Sequence, residues 1–305
     1  MAGTRQQDRE VARAAAAAAL GRDPGPLGAV ESASHHVFVG RDVVVKIIDA
    51  AGHTRLGREV ALASHLPAGI TAPLLADGLH RLGGREVRYA CYARMPGSAP
   101  GMGLPGVDAV TARRLAEEAV RRLGDLHSWT PGPEARDMLE EPLEHGGFTG
   151  RDALLAEVGK LAADDRERAL SRRLLDGLTA LAEQAPPRAR TAVPVHADCH
   201  WDNWLVHEGR VTALLDFEWA RLGEPADDWL FLARFAGPHQ RAVLDVIARA
   251  TAADPEELRA ACEVREAAHL VSDLRAALHF GEGATDLLRD LEAVVLDRHW
   301  WRPAR

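Results

Sequence analysis

Residues 196–203 read His196-Ala197-Asp198-Cys199-His200-Trp201-Asp202-Asn203. Three readings of this stretch compete. First, His196, Asp198 and His200 alternate, and in a strand alternate residues share a face. Imidazole and carboxylate together suit zinc or iron, the chemistry of a metallohydrolase. That reading needs further ligands, and no second histidine-rich cluster follows. Second, a polar cluster after a strand is often a turn whose side chains bond the local backbone. Third, a phosphoryl-transfer loop has one aspartate for the acceptor's proton and an asparagine five residues later for metal. A further aspartate holds metal against the nucleotide phosphates. Asp198, Asn203 and Asp216 occupy those places, and the turn His207-Glu208-Gly209 makes the hairpin that returns Asp216 to the loop. Asp216 ends the apolar run Ala213-Leu214-Leu215, where a carboxylate is costly unless bonded or metal-bound.

Outside this stretch, composition sets bounds. The chain has 305 residues, 47 % apolar and 27 % charged, with a net charge of −8. That size allows one large domain or two lobes, and the acidic balance argues against nucleic acid as a partner. Cys91, Cys199 and Cys262 lie far apart, which suits a reducing compartment better than a disulfide framework. The alanine run near the N-terminus is too short and too weakly apolar for a signal peptide or a membrane span. It reads as a first helix, and the protein as cytoplasmic, with no membrane partner expected. No feature of the sequence bears on oligomeric state. Of 37 basic residues only Lys46 and Lys160 are lysines, so a lysine here is more informative than usual.

The pattern predicts two regions. Val37-Phe38-Val39 and Val43 to Ile48 flank Gly40-Arg41-Asp42 as a hairpin. Residues 54–66 carry helical spacing up to Pro67, and residues 72–78 and 85–95 read as strands. A Pro/Gly-rich linker follows. From Asp108, a plausible N-cap, the chain is mostly helical, with short strands returning at 192–196, 204–206 and 211–217. This predicts an α+β fold: an N-terminal lobe over residues 1–95, a hinge over 96–107 and a larger, mainly helical C-terminal lobe over 108–305.

Three segments carry a resemblance: His196 to Asn203, Leu215-Asp216-Phe217-Glu218, and Gly223-Glu224-Pro225-Ala226-Asp227-Asp228. In this order they resemble the aminoglycoside phosphotransferase family, which includes choline-kinase-like small-molecule kinases. The resemblance covers roughly residues 30–280 and is strongest at 193–230. It implies a bilobal protein-kinase-like fold, ATP or GTP as co-substrate, Mg²⁺ as cofactor, and a small-molecule hydroxyl as acceptor. Asp198 is then the catalytic aspartate, and Asn203 and Asp216 the metal ligands. His196 and Asp228 support the loop. Lys46 binds nucleotide phosphates and Glu59, thirteen residues later, orients it. There is no G-x-G-x-x-G; the segment Glu31 to Val37 stands in its place and offers Ser32 and Ser34 as phosphate contacts. Tyr92 to Gly97 resembles the hinge that meets adenine through backbone groups, at about Ala93 and Met95. His127 reads as packing, His200 as a neighbour of the loop, and Asp202 has no assigned role.

The acceptor is less defined. An aminoglycoside or another antibiotic is the family expectation, with choline, amino-acid alcohols and sugars as further candidates. Glu218, Glu263, Glu266 and Asp273 are candidate contacts for a cationic acceptor, and the acidic stretch 131–148 is a candidate cover. Two other classes stay open: the metallohydrolase above, and a nucleotide-binding protein that keeps Lys46 and Asp216 without turnover.

Overall fold

The segment Val43 to Asp49 shows how the N-terminal lobe is built. Val43, Val45 and Ile47 are fully buried on one face, while Val44, Lys46 and Ile48 are half-buried on the other. The apolar face binds the first helix and the other face turns Lys46 toward the rest of the chain. The computed structural model describes residues 2–32, 35–51, 55–82, 84–143, 147–165, 169–190, 192–280 and 283–301.

Helix α1 (Ala2–Leu20) leads into strands β1 (Gly28–Val30), β2 (His36–Val39) and β3 (Val43–Asp49). Helix α2 (Arg55–Ala63) follows, then β4 (Leu74–Leu82) and β5 (Arg85–Ala93). The five strands form one antiparallel sheet in the order β1-β2-β3-β5-β4. In α1, Val11, Ala12, Ala15 and Ala16 are buried against Phe38, Val45 and Ile47, the one-face spacing of an amphipathic helix. Asp8 of α1 is fully buried and binds His36 and Arg85. On the opposite face Leu56 of α2 joins Ala90 and Tyr92 in a smaller core. The expected hairpin, helix and two strands are all present; β1 is an addition with no clear alternation in its sequence.

The linker is bonded to the C-terminal lobe. Ser98 and Val206 exchange backbone hydrogen bonds at 3.1 and 2.9 Å. Gly97 has φ +113°, and a Cβ there would lie 2.5 Å from the Val206 carbonyl oxygen, so the close approach requires glycine.

Helix α3 (Ala109–His127) begins at Asp108, whose side chain accepts from the N–H groups of Val110 (2.9 Å) and Thr111 (2.8 Å), as its N-cap position predicts. Next come α4 (Pro133–Glu140), α5 (Arg151–Asp164), α6 (Arg172–Gln184) and strands β6 (Val193–Val195), β7 (Trp204–His207), β8 (Arg210–Leu214) and β9 (Arg221–Gly223). The chain continues with α7 (Pro225–Arg234), α8 (Gln240–Thr251), α9 (Pro255–Phe280) and α10 (Ala284–Val295). The antiparallel pairs β6–β9 and β7–β8 bracket the 196–203 loop. One core joins α3, α7 and α8 around Trp201 and Trp204; a second joins α5, α6, α9 and α10. The acidic stretch 131–148, the candidate cover, contains α4. Pro133 at its first turn starts the helix, and Ala135 and Leu139, four apart, are buried. Among the described residues, no helix is long and apolar enough to cross a membrane.

Candidate active site

The loop after β6 is shaped by one buried carboxylate. Asp228, on the first turn of α7, accepts from the N–H of His196 at 3.1 Å, the N–H of Ala197 at 2.6 Å and His127 Nε2–H at 2.8 Å. Burial opposes its charge, but the bond from His127 and the neighbouring imidazoles hold it below the usual carboxylate range. Ala197 sits at φ +63°, a left-handed conformation that non-glycine residues adopt only when their surroundings impose it. His196 is fully buried: Nε2–H donates to the Leu215 carbonyl at 2.8 Å, and Nδ1 faces the Asp198 N–H at 3.3 Å. Both ring nitrogens therefore face backbone groups, and the His196–Asp198–His200 metal set is not assembled. Among the described residues, no group of three His, Cys, Asp or Glu side chains could hold a metal ion.

Asn203 lies on a single helical turn, Trp201–Asn203, and donates through Nδ2 to the Asp198 carbonyl at 2.8 Å and to Asp198 Oδ2 at 3.2 Å. The Leu215 N–H donates to the Asn203 carbonyl at 2.8 Å. That bond sets the end of β8 beside the loop and delivers Asp216, in the left-handed region at φ +69°. The indoles of Trp201 and Trp204 donate to the carbonyls of Leu232 and Cys199 at 3.0 and 2.9 Å, so both are anchors of the loop within the core.

Lys46 arrives from β3. Its Nζ donates to Glu59 Oε1 and Oε2 at 2.9 and 2.8 Å, and to Asp216 Oδ1 at 3.2 Å. Burial works against the ammonium, but Glu59 and Asp216 outweigh it and hold its pKa above the ordinary value. Helix α2 presents two further cations to the same region. Arg58 is buried and donates to the carbonyls of Ala220 (3.0 Å) and Glu141 (2.8 Å). The Arg55 guanidinium lies 4.6 Å from the Trp219 ring centroid and 3.6 Å from Glu218. Arg55, Arg58 and Glu59 share a face of the helix by their i, i+3, i+4 spacing. That spacing was visible in the sequence, but arginine is too common in this chain to single these two out.

Carboxylates crowd the centre. Burial, then Asp216, push Asp198 up to about 8. Burial, then Asp216, push Glu218 up to about 7. Asp216 is held below its ordinary value: burial opposes this, and Lys46 and His35 outweigh it. The side-chain oxygens of Asp216 and Asn203 are of the kind a hard divalent cation takes as ligands. Burial lowers the pKa of His200, so its ring is neutral; Nε2 lies 3.5 Å from Asp198 Oδ1.

The other predicted residues fall in different places. Ser32 lines an open recess with His35 and Phe38 at the β1–β2 connection; Ser34 lies outside the described residues. The Ala93 N–H is bonded to the Pro73 carbonyl at 2.8 Å, and the Met95 side chain packs against the Tyr92 cluster. Glu218 is buried between His35 at 3.5 Å and Arg55. Glu263 accepts from Trp301 Nε1 at 2.9 Å and does not line the groove beside Asp198. Glu266 and Asp273 do line it. Asp202 accepts from the Met102 N–H at 3.1 Å and so ties the linker to the loop. His127, read as packing, is a bonded partner of Asp228.

Comparison with known proteins places this geometry. Residues 28–261 match the family described as the phosphotransferase enzyme family. No curated protein sequence matches the chain. The GDP complex of aminoglycoside 2'-phosphotransferase-IIIa superposes with a TM-score of 0.74 at 16 % identity, over 96 % of this chain and 100 % of that one. ADP-bound aminoglycoside phosphotransferase APH(2'')-Ib gives 0.60 at 16 % identity, over 89 % and 92 %. A thermostable APH(4)-Ia mutant with AMP-PNP and hygromycin B gives 0.61 at 17 % identity, over 93 % and 97 %. At these identities the likeness establishes the bilobal kinase-like fold, and the family match carries the chemistry. The chain belongs to the phosphotransferase enzyme family.

Proposed function

We propose that the protein transfers the γ-phosphoryl of ATP or GTP to a hydroxyl of a small acceptor, with the nucleotide between the lobes and Mg²⁺ bound by Asn203 and Asp216. The observation that carries this is the meeting of Lys46 with Asp216 at 3.2 Å across 170 residues of sequence, with Glu59 on the other side of the ammonium. Lys46 then positions phosphate oxygens. The Ala93 carbonyl and the Met95 N–H offer a base its backbone contacts, and Ser32 faces the phosphates. The metal ion, when bound, neutralises phosphate charge.

Asp198 accepts or orients the acceptor's proton. Its raised pKa matches that task, because a base poised near the working pH is the most effective. It falls once a cation relieves the neighbouring Asp216, since opposite charge favours the carboxylate. Asn203 fixes the Asp198 carboxylate by its 3.2 Å bond, and Asp228 fixes the backbone beneath it. Most of the rate gain comes from positioning and charge neutralisation, as expected for phosphoryl transfer. The metallohydrolase reading has no support, because His196 is turned to the backbone.

The test is Asp216→Asn. It keeps the fold and loses Mg²⁺-dependent nucleotide binding and turnover. Isothermal titration with Mg-ATP and Mg-GTP, beside ADP release, reads both effects. Wild-type turnover in this variant would sink the assignment.

A further inference from the structure

A groove of about 300 Å³ opens beside Asp198, between Trp219 and the helices α7, α9 and α10. Its walls are mainly apolar. Phe231 on α7 and Phe235, the residue that caps its C-terminus, stack at 6.0 Å and 22°. Leu230 and Leu270 are buried beneath the surface they make. His269 stands edge-on to Phe231 at 5.4 Å, and burial, then Arg221, push its pKa down to about 4. It is therefore an uncharged ring.

Two of the groove's four carboxylates, Glu266 and Asp290, already face Arg234. Glu266 accepts from Arg234 and, at 2.6 Å, from Trp300 Nε1, with His299 Nε2 at 3.1 Å. Asp290 lies 3.8 Å from the same Arg234. Asp273 is exposed at the rim. The two cations, Arg221 and Arg234, face the same space. An acceptor with several ammonium groups would have to lose their hydration, which is costly without new partners. It would also approach two guanidinium groups, and the buried carboxylate that could answer it is occupied. A site that is mostly apolar with a few placed polar groups suits a ligand of the same make-up.

We infer that the acceptor is a hydroxyl compound with an apolar ring face and no more than one positive charge. The ring lies on Phe231 and Phe235, and the hydroxyl reaches Asp198. This rests on the kinase reading above and narrows its acceptor.

The experiment uses the full chain with Mg-ATP and Mg-GTP and reads both ADP release and phosphate transfer. Kanamycin is the polycationic probe. Chloramphenicol and p-nitrophenyl β-glucoside are uncharged ring-bearing probes, and ephedrine is the singly charged one. At least one ring-bearing probe is expected to give kcat/KM at least tenfold above kanamycin. Phe231→Ala should raise KM for that probe at least tenfold, and Phe231→Leu, which keeps apolar volume, should recover part of it. Preference for kanamycin, no ring-bearing probe ahead of it, or an unchanged KM in Phe231→Ala each overturns the inference. Failure of the kinase reading looks different: no Mg²⁺-dependent ATP turnover that Asp216→Asn abolishes, with or without any probe.

Discussion

Asp198 sits where its charge is unwelcome until ligands arrive. Its pKa is raised in the folded chain, so the linked stability is present below the ordinary carboxylate value near 3.8 and lost as pH rises through about 8. The ligand-free protein should melt lower at pH 9 than at pH 6. Asp198→Asn should remove part of that slope and raise Tm at pH 9 by about 2 °C, the shift of roughly 1 kcal/mol in a large domain. The same variant should lose ~10²–10⁴-fold in kcat, the usual range for a positioned acid–base group. Melting curves at both pH values, beside steady-state rates, check the pair; a variant less stable than wild type at pH 9 contradicts the reading. Lys46 is the companion case. Its Nζ lies within 3.2 Å of three carboxylate oxygens, two on Glu59 and one on Asp216. A planar guanidinium does not fit that compact geometry. Lys46→Arg should therefore fold normally and lose at least about tenfold in kcat/KM for ATP, ~1.4 kcal/mol of transition-state stabilisation. Normal kinetics with a normal melt would return Lys46 to an ordinary strand cation. Both residues stood out in the sequence, Asp198 by its spacing to Asn203 and Asp216, and Lys46 because the chain otherwise uses arginine; the structure brings Lys46 to Asp216 and Asn203 to Asp198.

At the scale of elements, α2 is the piece that joins the lobes. Glu59 holds Lys46, Arg55 stacks on Trp219, and Arg58 reaches the carbonyls of Ala220 and Glu141 in the C-terminal lobe. Arg58 is thus a positioning residue: it sets the height of the helix that carries Glu59. Arg58→Met keeps volume and removes two bonds, and a buried carbonyl left without a donor costs about 1–3 kcal/mol. KM for ATP should rise several-fold together with a fall in Tm. Arg58→Met combined with Glu59→Gln should be little worse toward ATP than Glu59→Gln alone, because both act through Lys46. A fall in Tm with unchanged ATP kinetics would make Arg58 merely structural. These contacts could not be read beforehand. The period of α2 showed its buried face through Leu56 and Leu62, but which distant carbonyls its arginines meet is decided by tertiary packing. For the same reason α4 was hidden in an acidic stretch, and β9 was found only through its pairing with β6.

The whole molecule gathers three carboxylates where its two lobes meet. The chain carries −8 overall, and Asp198, Asp216 and Glu218 share one centre that also faces Lys46 and α2. Two of these carboxylates have raised pKa values, about 8 for Asp198 and about 7 for Glu218. Protons would therefore compete with any divalent cation bound at the centre. Below about pH 6 both groups hold protons and the cluster is poor in charge; above about pH 8 both are ionised and repel Asp216. Mg²⁺ alone, without nucleotide, should then stabilise the protein, and more so at pH 8.5 than at pH 6. At tenfold its Kd the ion contributes about 1.4 kcal/mol, roughly 3 °C in Tm. Asp216→Asn should abolish the shift, because it removes a ligand and much of the repulsion that the ion relieves. Thermal melts over a Mg²⁺ titration at the two pH values decide the matter. An equal shift at both pH values would show that the ion does not answer these carboxylates, and a shift that survives Asp216→Asn would place it elsewhere.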